Sequence, residues 1–299
     1  MNKLHPLVYA QLGLRSKRLL ERPQARYSVR FRANSNLGYN FSSFASLRPE
    51  EKDLFFYSNL TSGFKIKENV EITTSVTSQK QLITKLSFSD LLDGVLNAGI
   101  FTDMFKKSLY GYFSCCPKYG TMSFMSDFRT RVGSFSMTTD IKGVYFGMMG
   151  NIDLAKRSFP VLETAMQYKI NKNTEIVTRF KPKTKIVSSE VFSQINPRIA
   201  LSLGLSVDCS ERSLDLFQAA VLVNTSPRTQ LYSKIQSSGK LSLQVLTKIT
   251  DHVSAGVTGA LDLSKLRQKK NPFDAKNFGI ALEINTQKEH KKANFFLEN

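Results

Sequence analysis

Pro197-Arg-Ile-Ala-Leu-Ser-Leu-Gly-Leu-Ser-Val207 is the stretch from which the fold can be read. In an extended chain Ile199, Leu201, Leu203, Leu205 and Val207 fall on one face, and Arg198, Ala200, Ser202, Gly204 and Ser206 on the other. The same period of two recurs on both sides of it. Val253, Ala255, Val257, Leu261 and Leu263 alternate with Ser254, Gly256, Thr258 and Asp262. Tyr27, Val29 and Phe31 oppose Ser28, Arg30 and Arg32, and Leu241, Leu243, Val245 and Ile249 oppose Ser242, Gln244 and Lys248. Phe278, Ile280, Leu282 and Ile284 alternate with Asn277, Gly279, Ala281 and Glu283.

Turn-forming residues interrupt this pattern at short intervals: Asn34–Asn36, Arg48–Lys52, Lys67–Asn69, Pro117–Gly120, Asp140–Gly143, Asn171–Asn173, Asn196-Pro197, Ser210–Ser213, Ser226-Pro227, Ser237–Gly239 and Thr250–His252. Between Ala25 and Asn285 about nineteen strands can be placed, with the alternation weakest over 54–77 and 184–194. Many short antiparallel strands suit either a soluble sandwich or barrel, or a membrane barrel. The polar faces favour the membrane form, because they carry mostly Ser, Thr, Gly, Ala and Gln with sparse cations, as a wet lumen would. The segments also have the length of about 9–11 residues that crosses a bilayer when tilted.

The chain has 299 residues, 41% of them hydrophobic and 22% charged. It contains no apolar run of the ~18–20 residues that a spanning helix needs. Its first twenty residues hold Lys3, Arg15, Lys17 and Arg18 and no apolar core, so a secretory signal is not expected. Lys and Arg number 42 against 24 Asp and Glu, a net charge of +18 spread singly along the chain. Such a surplus attracts anionic lipid, anionic solutes or nucleic acid, and no nucleic-acid-binding motif accompanies it. Cys115, Cys116 and Cys209 form neither a disulfide framework nor a zinc spacing, which suits a reducing, intracellular setting. His5, His252 and His290 fall in a terminus, a turn and a tail. With no phosphate loop or carboxylate pair, neither enzyme chemistry, a metal site nor a cofactor is expected.

The first twenty-odd residues change period. From Pro6 to about Arg22 the spacing is helical, with Val8, Leu12 and Leu19 on one face and Arg15, Lys17, Arg18 and Arg22 mostly elsewhere. His5-Pro-Leu-Val-Tyr-Ala-Gln-Leu-Gly13 resembles the N-terminal helix of the mitochondrial porin, or voltage-dependent anion channel, family. Tyr9, Ala10, Leu12 and Gly13 match in register, and Lys17 falls where that family has a basic residue. Asn277-x-Gly279-x-x-Leu282-x-Ile284 is similar to the C-terminal signal by which the mitochondrial sorting and assembly machinery recognises barrel precursors. Gln81–Phe88 with Asp90–Gly94 resembles the family's fifth and sixth strands, and Ser233–Ser238 with Val257–Asp262 its last three. Barrels of this family have nineteen strands, a figure with which the count above agrees and which it does not independently predict.

The resemblance implies an all-β transmembrane barrel (25–285) preceded by an amphipathic helix (1–24) inside the lumen and followed by a basic tail (286–299). It implies the mitochondrial outer membrane, membrane lipid as surroundings, and possible assembly as a homo-oligomer or within a larger membrane complex. Tyr9, Leu12 and Leu19 would pack the helix. With the apolar faces toward lipid, the register turns Arg30, Arg32, Lys85, Arg179, Lys181, Arg198, Lys234 and Lys248 toward the lumen, joined by Lys17 on the helix. Rings of such cations favour anions, so the expected function is passage of anions and small anionic metabolites such as nucleotides and organic acids. A non-conducting structural subunit of a membrane assembly and a protein-import barrel are the alternatives. Three departures from the family stand out. Arg22-Pro-Gln-Ala-Arg26 replaces a glycine-rich hinge, Gly94-Val-Leu96 replaces a glycine-leucine-lysine triplet, and Thr74 falls near a membrane-facing glutamate. The tail carries Lys288, Lys291 and Lys292.

Overall fold

The computed structural model describes residues 9–21, 27–34, 39–48, 53–117, 119–153, 155–158, 160–267 and 278–285. Within them the chain forms nineteen strands. These are β1 (Tyr27–Asn34), β2 (Tyr39–Arg48), β3 (Asp53–Lys67), β4 (Val70–Thr77), β5 (Gln81–Asp90), β6 (Leu96–Asp103), β7 (Ser108–Cys115), β8 (Gly120–Asp127), β9 (Val132–Ile141) and β10 (Val144–Asp153). They continue as β11 (Val161–Lys169), β12 (Thr174–Lys181), β13 (Ile186–Asn196), β14 (Ile199–Asp208), β15 (Ser213–Asn224), β16 (Thr229–Gln236), β17 (Lys240–Lys248), β18 (Val253–Asp262) and β19 (Phe278–Asn285). Each strand pairs antiparallel with its neighbours in sequence. β1 closes the ring by pairing parallel with β19, as an odd number of up-and-down strands requires. Closure leaves no strand edge, and so no row of unpaired backbone groups to place in hydrocarbon. Among the described residues no helix is long and apolar enough to cross a membrane; the crossings are made by strands.

The register follows one parity around the whole ring. On β14 the outward positions are Ile199, Leu201, Leu203 and Leu205; their pairing partners on β15 are Val223, Val221, Ala219 and Phe217. Outward residues on other strands, such as Phe56, Ile100, Phe146, Leu243 and Val257, are exposed for the same reason. Among the described residues a charged side chain falls on the outward side only at strand ends, at Lys67 and Asp90. A charge at the bilayer midplane costs about 2–4 kcal/mol, so this segregation is what a lipid-facing wall requires. Thr74 lies on the outward face of β4. The weakly alternating segments 54–77 and 184–194 are strands, β3, β4 and β13. Their pattern is blurred by bulges at Lys65/Lys67 and Gln194/Asn196, which shift the period by one residue.

The N-terminal segment differs from a continuous helix over Pro6–Arg22. A 3-10 turn at Tyr9–Gln11 precedes a seven-residue helix, α1 (Leu14–Leu20), and Gly13 between them takes the left-handed conformation at φ 64°. Glycine adopts that conformation without steric cost. Pro6, Val8 and the 22–26 hinge lie outside the described residues, as do Asn277 and the 286–299 tail. Two one-turn helices not evident in the sequence, α2 (Leu91–Gly94) and α3 (Leu263–Arg267), follow β5 and β18.

Candidate functional site

The inner wall is polar, and the N-terminal segment lies on it. The 3-10 turn rests against β9 and β10, and α1 against β13, β14 and β15. Alone, a seven-residue helix would not persist in water. Here the apolar side of the whole segment is covered: Leu12, Leu19 and Leu20 are no more than 2% exposed and Tyr9 is 8% exposed. Leu19 and Leu20 pack with Phe192, Ala200, Ala220, Leu222 and Tyr232, all at inward positions. Tyr9 and Leu12 pack against Ala165, with Tyr145 and Met149 beside them. Burial of this kind is worth about 1.5–3 kcal/mol per large apolar side chain.

Polar bonds then fix the segment in one position. Gly13 N–H donates to Gln167 Oε1 at 3.0 Å, and Gln167 Nε2 donates to Glu175 at 3.1 Å. The hydroxyls of Ser16 and Ser202 meet at 2.8 Å, both fully buried. At the C-terminal end of α1, where carbonyls lack intrahelical partners, Tyr232 OH donates to Leu19 O at 2.9 Å and Lys234 Nζ donates to Leu20 O. At the other end Arg179 donates to Leu12 O at 2.7 Å and to Glu190 at 2.8 Å, and its Nε stands 3.6 Å from Glu163. Tyr9 OH donates to the same Glu163 oxygen at 2.7 Å. Burial and that carboxylate raise the Tyr9 phenol well above its ordinary value, keeping it a donor.

The cations singled out from the sequence thus serve different ends. Arg179 and Lys234 join Tyr9, Leu12 and Leu19 as the residues that seat the helix. Arg30 and Arg32, inward on β1, share the carboxylate of Glu283 on β19 at 4.0 and 3.8 Å. Lys85 on β5 faces the lumen with its ammonium 4.8 Å from the Tyr112 ring centroid. It borders a cavity of about 600 Å³ shared with Tyr9, Phe101, Ser123 and Ser136. Lys17 lies on the open side of α1, 3.9 Å from Glu21. Lys181 ends β12 at one mouth, while Arg198 and Lys248 lie at the other. Of the sorting signal, Leu282 and Ile284 point outward from β19 and Gly279 inward, its carbonyl accepting from Thr258.

The carboxylates that face these cations were not singled out, although Glu283 was read on the polar face of its strand. Glu163, Glu190 and Glu283 sit at inward register positions, and the alternation that located Arg179 places them there too. Among the described residues no group of three His, Cys, Asp or Glu side chains could hold a metal ion.

No curated protein sequence matches this chain. Among solved structures, a triple mutant of the Rhodopseudomonas blastica porin is 7% identical, with a TM-score of 0.42 over 87% of this chain and 95% of that one. A loop-deletion mutant of OmpT, an outer membrane protein of Vibrio cholerae, is 8% identical, with a TM-score of 0.36 over 80% of this chain and 91% of that one. The sequence profile described as eukaryotic porin matches residues 5–273, from the N-terminal segment through α3. With a closed ring of nineteen strands and a helix seated on its polar inner wall, the chain belongs to the eukaryotic porin family and forms an outer-membrane channel.

Proposed function

We propose that this channel passes anions and small anionic metabolites, nucleotides and organic acids among them, across the mitochondrial outer membrane. The observation that supports the reading is how several of the lumenal carboxylates are engaged. Glu163 and Glu190 are held by Arg179, Glu283 by the Arg30–Arg32 pair, and Glu175 accepts from Gln167. Asp103, Asp127, Asp153 and Asp208 accept backbone N–H groups of adjacent turns. Lys85 faces the same lumen against the Tyr112 ring, and Lys17 on the open side of α1 lies beside Glu21. A cation in a narrow lumen lowers the barrier for anions and raises it for cations. The test is the reversal potential of the folded protein in a planar bilayer under a KCl gradient. A potential on the chloride side supports the proposal, and a potential on the potassium side refutes it.

A further inference from the structure

The hairpins alternate between two mouths, and the mouths differ in charge. The β4–β5, β6–β7, β8–β9, β10–β11, β12–β13 and β14–β15 turns share one mouth. Each places a basic residue in the left-handed conformation: Lys80, Lys107, Arg131, Arg157, Lys185 and Arg212, at φ 51–57°. Glycine and asparagine suit that conformation far better than Lys or Arg. Six basic residues on one rim, against Lys142 alone at φ 52° among the described turns of the other, are therefore not there for the backbone's sake. All six are exposed. Asp103, Asp127, Asp153 and Asp208, at the strand ends before four of these turns, spend an oxygen on turn N–H groups at 2.7–3.3 Å. Among the described connections at this mouth the only acidic residue is Glu211. At the opposite mouth the described connections carry Lys142, Lys172, Arg198 and Arg228 with Glu68 and Asp251 among them.

Apolar side chains show what the basic rim faces. Phe105 and Phe128 sit in the β6–β7 and β8–β9 turns and are 62% and 57% exposed. The Phe128 ring lies over outward-facing Gly111, where a Cβ would come within 2.6 Å of it. That ring is on the lipid side of the wall, and Arg129 and Arg131 follow it in the chain. An aromatic ring at the edge of the hydrocarbon with cations just beyond it matches the depth of phospholipid headgroups.

We infer that this mouth is a docking surface for the anionic headgroups of phospholipid, and that the barrel sits with it in the leaflet richer in such lipid. Long Lys and Arg stems projecting from short turns reach the phosphodiester and carboxylate oxygens, while the opposite mouth, with fewer basic residues and Glu68 and Asp251 among them, holds such headgroups less. The inference does not depend on ion conduction.

The test uses the full-length folded protein in phosphatidylcholine vesicles holding a trace of spin-labelled phosphatidylserine or spin-labelled phosphatidylcholine. Electron paramagnetic resonance reads the fraction of label held at the protein surface. Phosphatidylserine is expected to be enriched over phosphatidylcholine by about threefold or more at low salt. The enrichment should fall toward parity near about 0.5 M NaCl. Replacing Lys107, Arg131, Arg157 and Lys185 by Asn removes the charge while suiting the left-handed backbone, and should abolish the enrichment. Replacing Lys142, Lys172, Arg198 and Arg228 by Gln should leave it. Equal association of both lipids with the wild-type protein would overturn the inference. So would loss of enrichment in the second variant but not the first, or binding of poly-glutamate by the wild type without lipid preference.

Discussion

Arg179 on β12 donates to the carboxylate of Glu190 on β13 at 2.8 Å, and the same guanidinium reaches the carbonyl of Leu12 at 2.7 Å. A wall-to-wall ion pair therefore doubles as the clasp for the N-terminal segment. The side chains of Arg179, Glu163 and Glu190 are only 12–15% exposed, so removing the cation strands two carboxylates against each other. Arg179→Gln is expected to weaken docking by about 2–4 kcal/mol. Trypsin cleavage after Lys17 and Arg18 in the folded barrel measures this. It should accelerate at least about tenfold, and an unchanged rate would show that the clasp does not hold the helix.

Gly147 on β10 faces the lumen beneath the 3-10 turn, and a Cβ there would lie 2.7 Å from both Leu12 Cδ1 and Tyr9 Cδ2. Gly147→Val should lift the turn off the wall at a cost of about 1–3 kcal/mol and leave the strand intact. Because it opens the same contact as Arg179→Gln, the double variant should be cleaved little faster than either single one. Additive rates would mean that the two residues act on separate parts of the segment.

Tyr9 gives the docking a pH dependence. Its folded-state phenol is raised, first by burial and then by Glu163, above the ordinary value near 10. The docked state thus keeps a proton that a released segment would lose. Docking is at full strength below about pH 10 and weakens as the pH rises beyond it. Cleavage or mobility of the segment in the wild type should rise above about pH 10 more steeply than in Tyr9→Phe. Identical profiles would remove Tyr9 as the cause.

Leu243 and Gln244 are neighbours in mid-β17 on opposite sides of the wall. Leu243→Arg should destabilise the folded barrel in lipid by about 2–4 kcal/mol, and Gln244→Arg by much less. Urea unfolding in vesicles compares them, and equal costs would contradict the inside–outside register.

The sequence carried this register plainly because lipid outside and water inside impose opposite chemistry on alternate residues. Arg179, Lys234 and Lys85 could be turned inward on that ground alone. Their uses could not: Lys234 bonds Leu20, some 214 residues away, and no local pattern encodes so distant a contact. Four turns, at 78–80, 104–107, 128–131 and 155–157, lacked a recognisable signal for a related reason. Lys or Arg occupies the left-handed position where Gly or Asn would announce a turn. The break in the helix at Gly13 was missed because the apolar spacing continues across it.

A lumen whose carboxylates are largely held by cations and turn N–H groups should attract anions. Reversal potentials in planar bilayers under a KCl gradient, for the wild type and for Lys85→Glu with Lys17→Glu, test it most directly. A chloride-selective potential is expected for the wild type, with a shift toward potassium in the double variant. Potassium selectivity in the wild type, or no conductance from protein verified as folded, would contradict it.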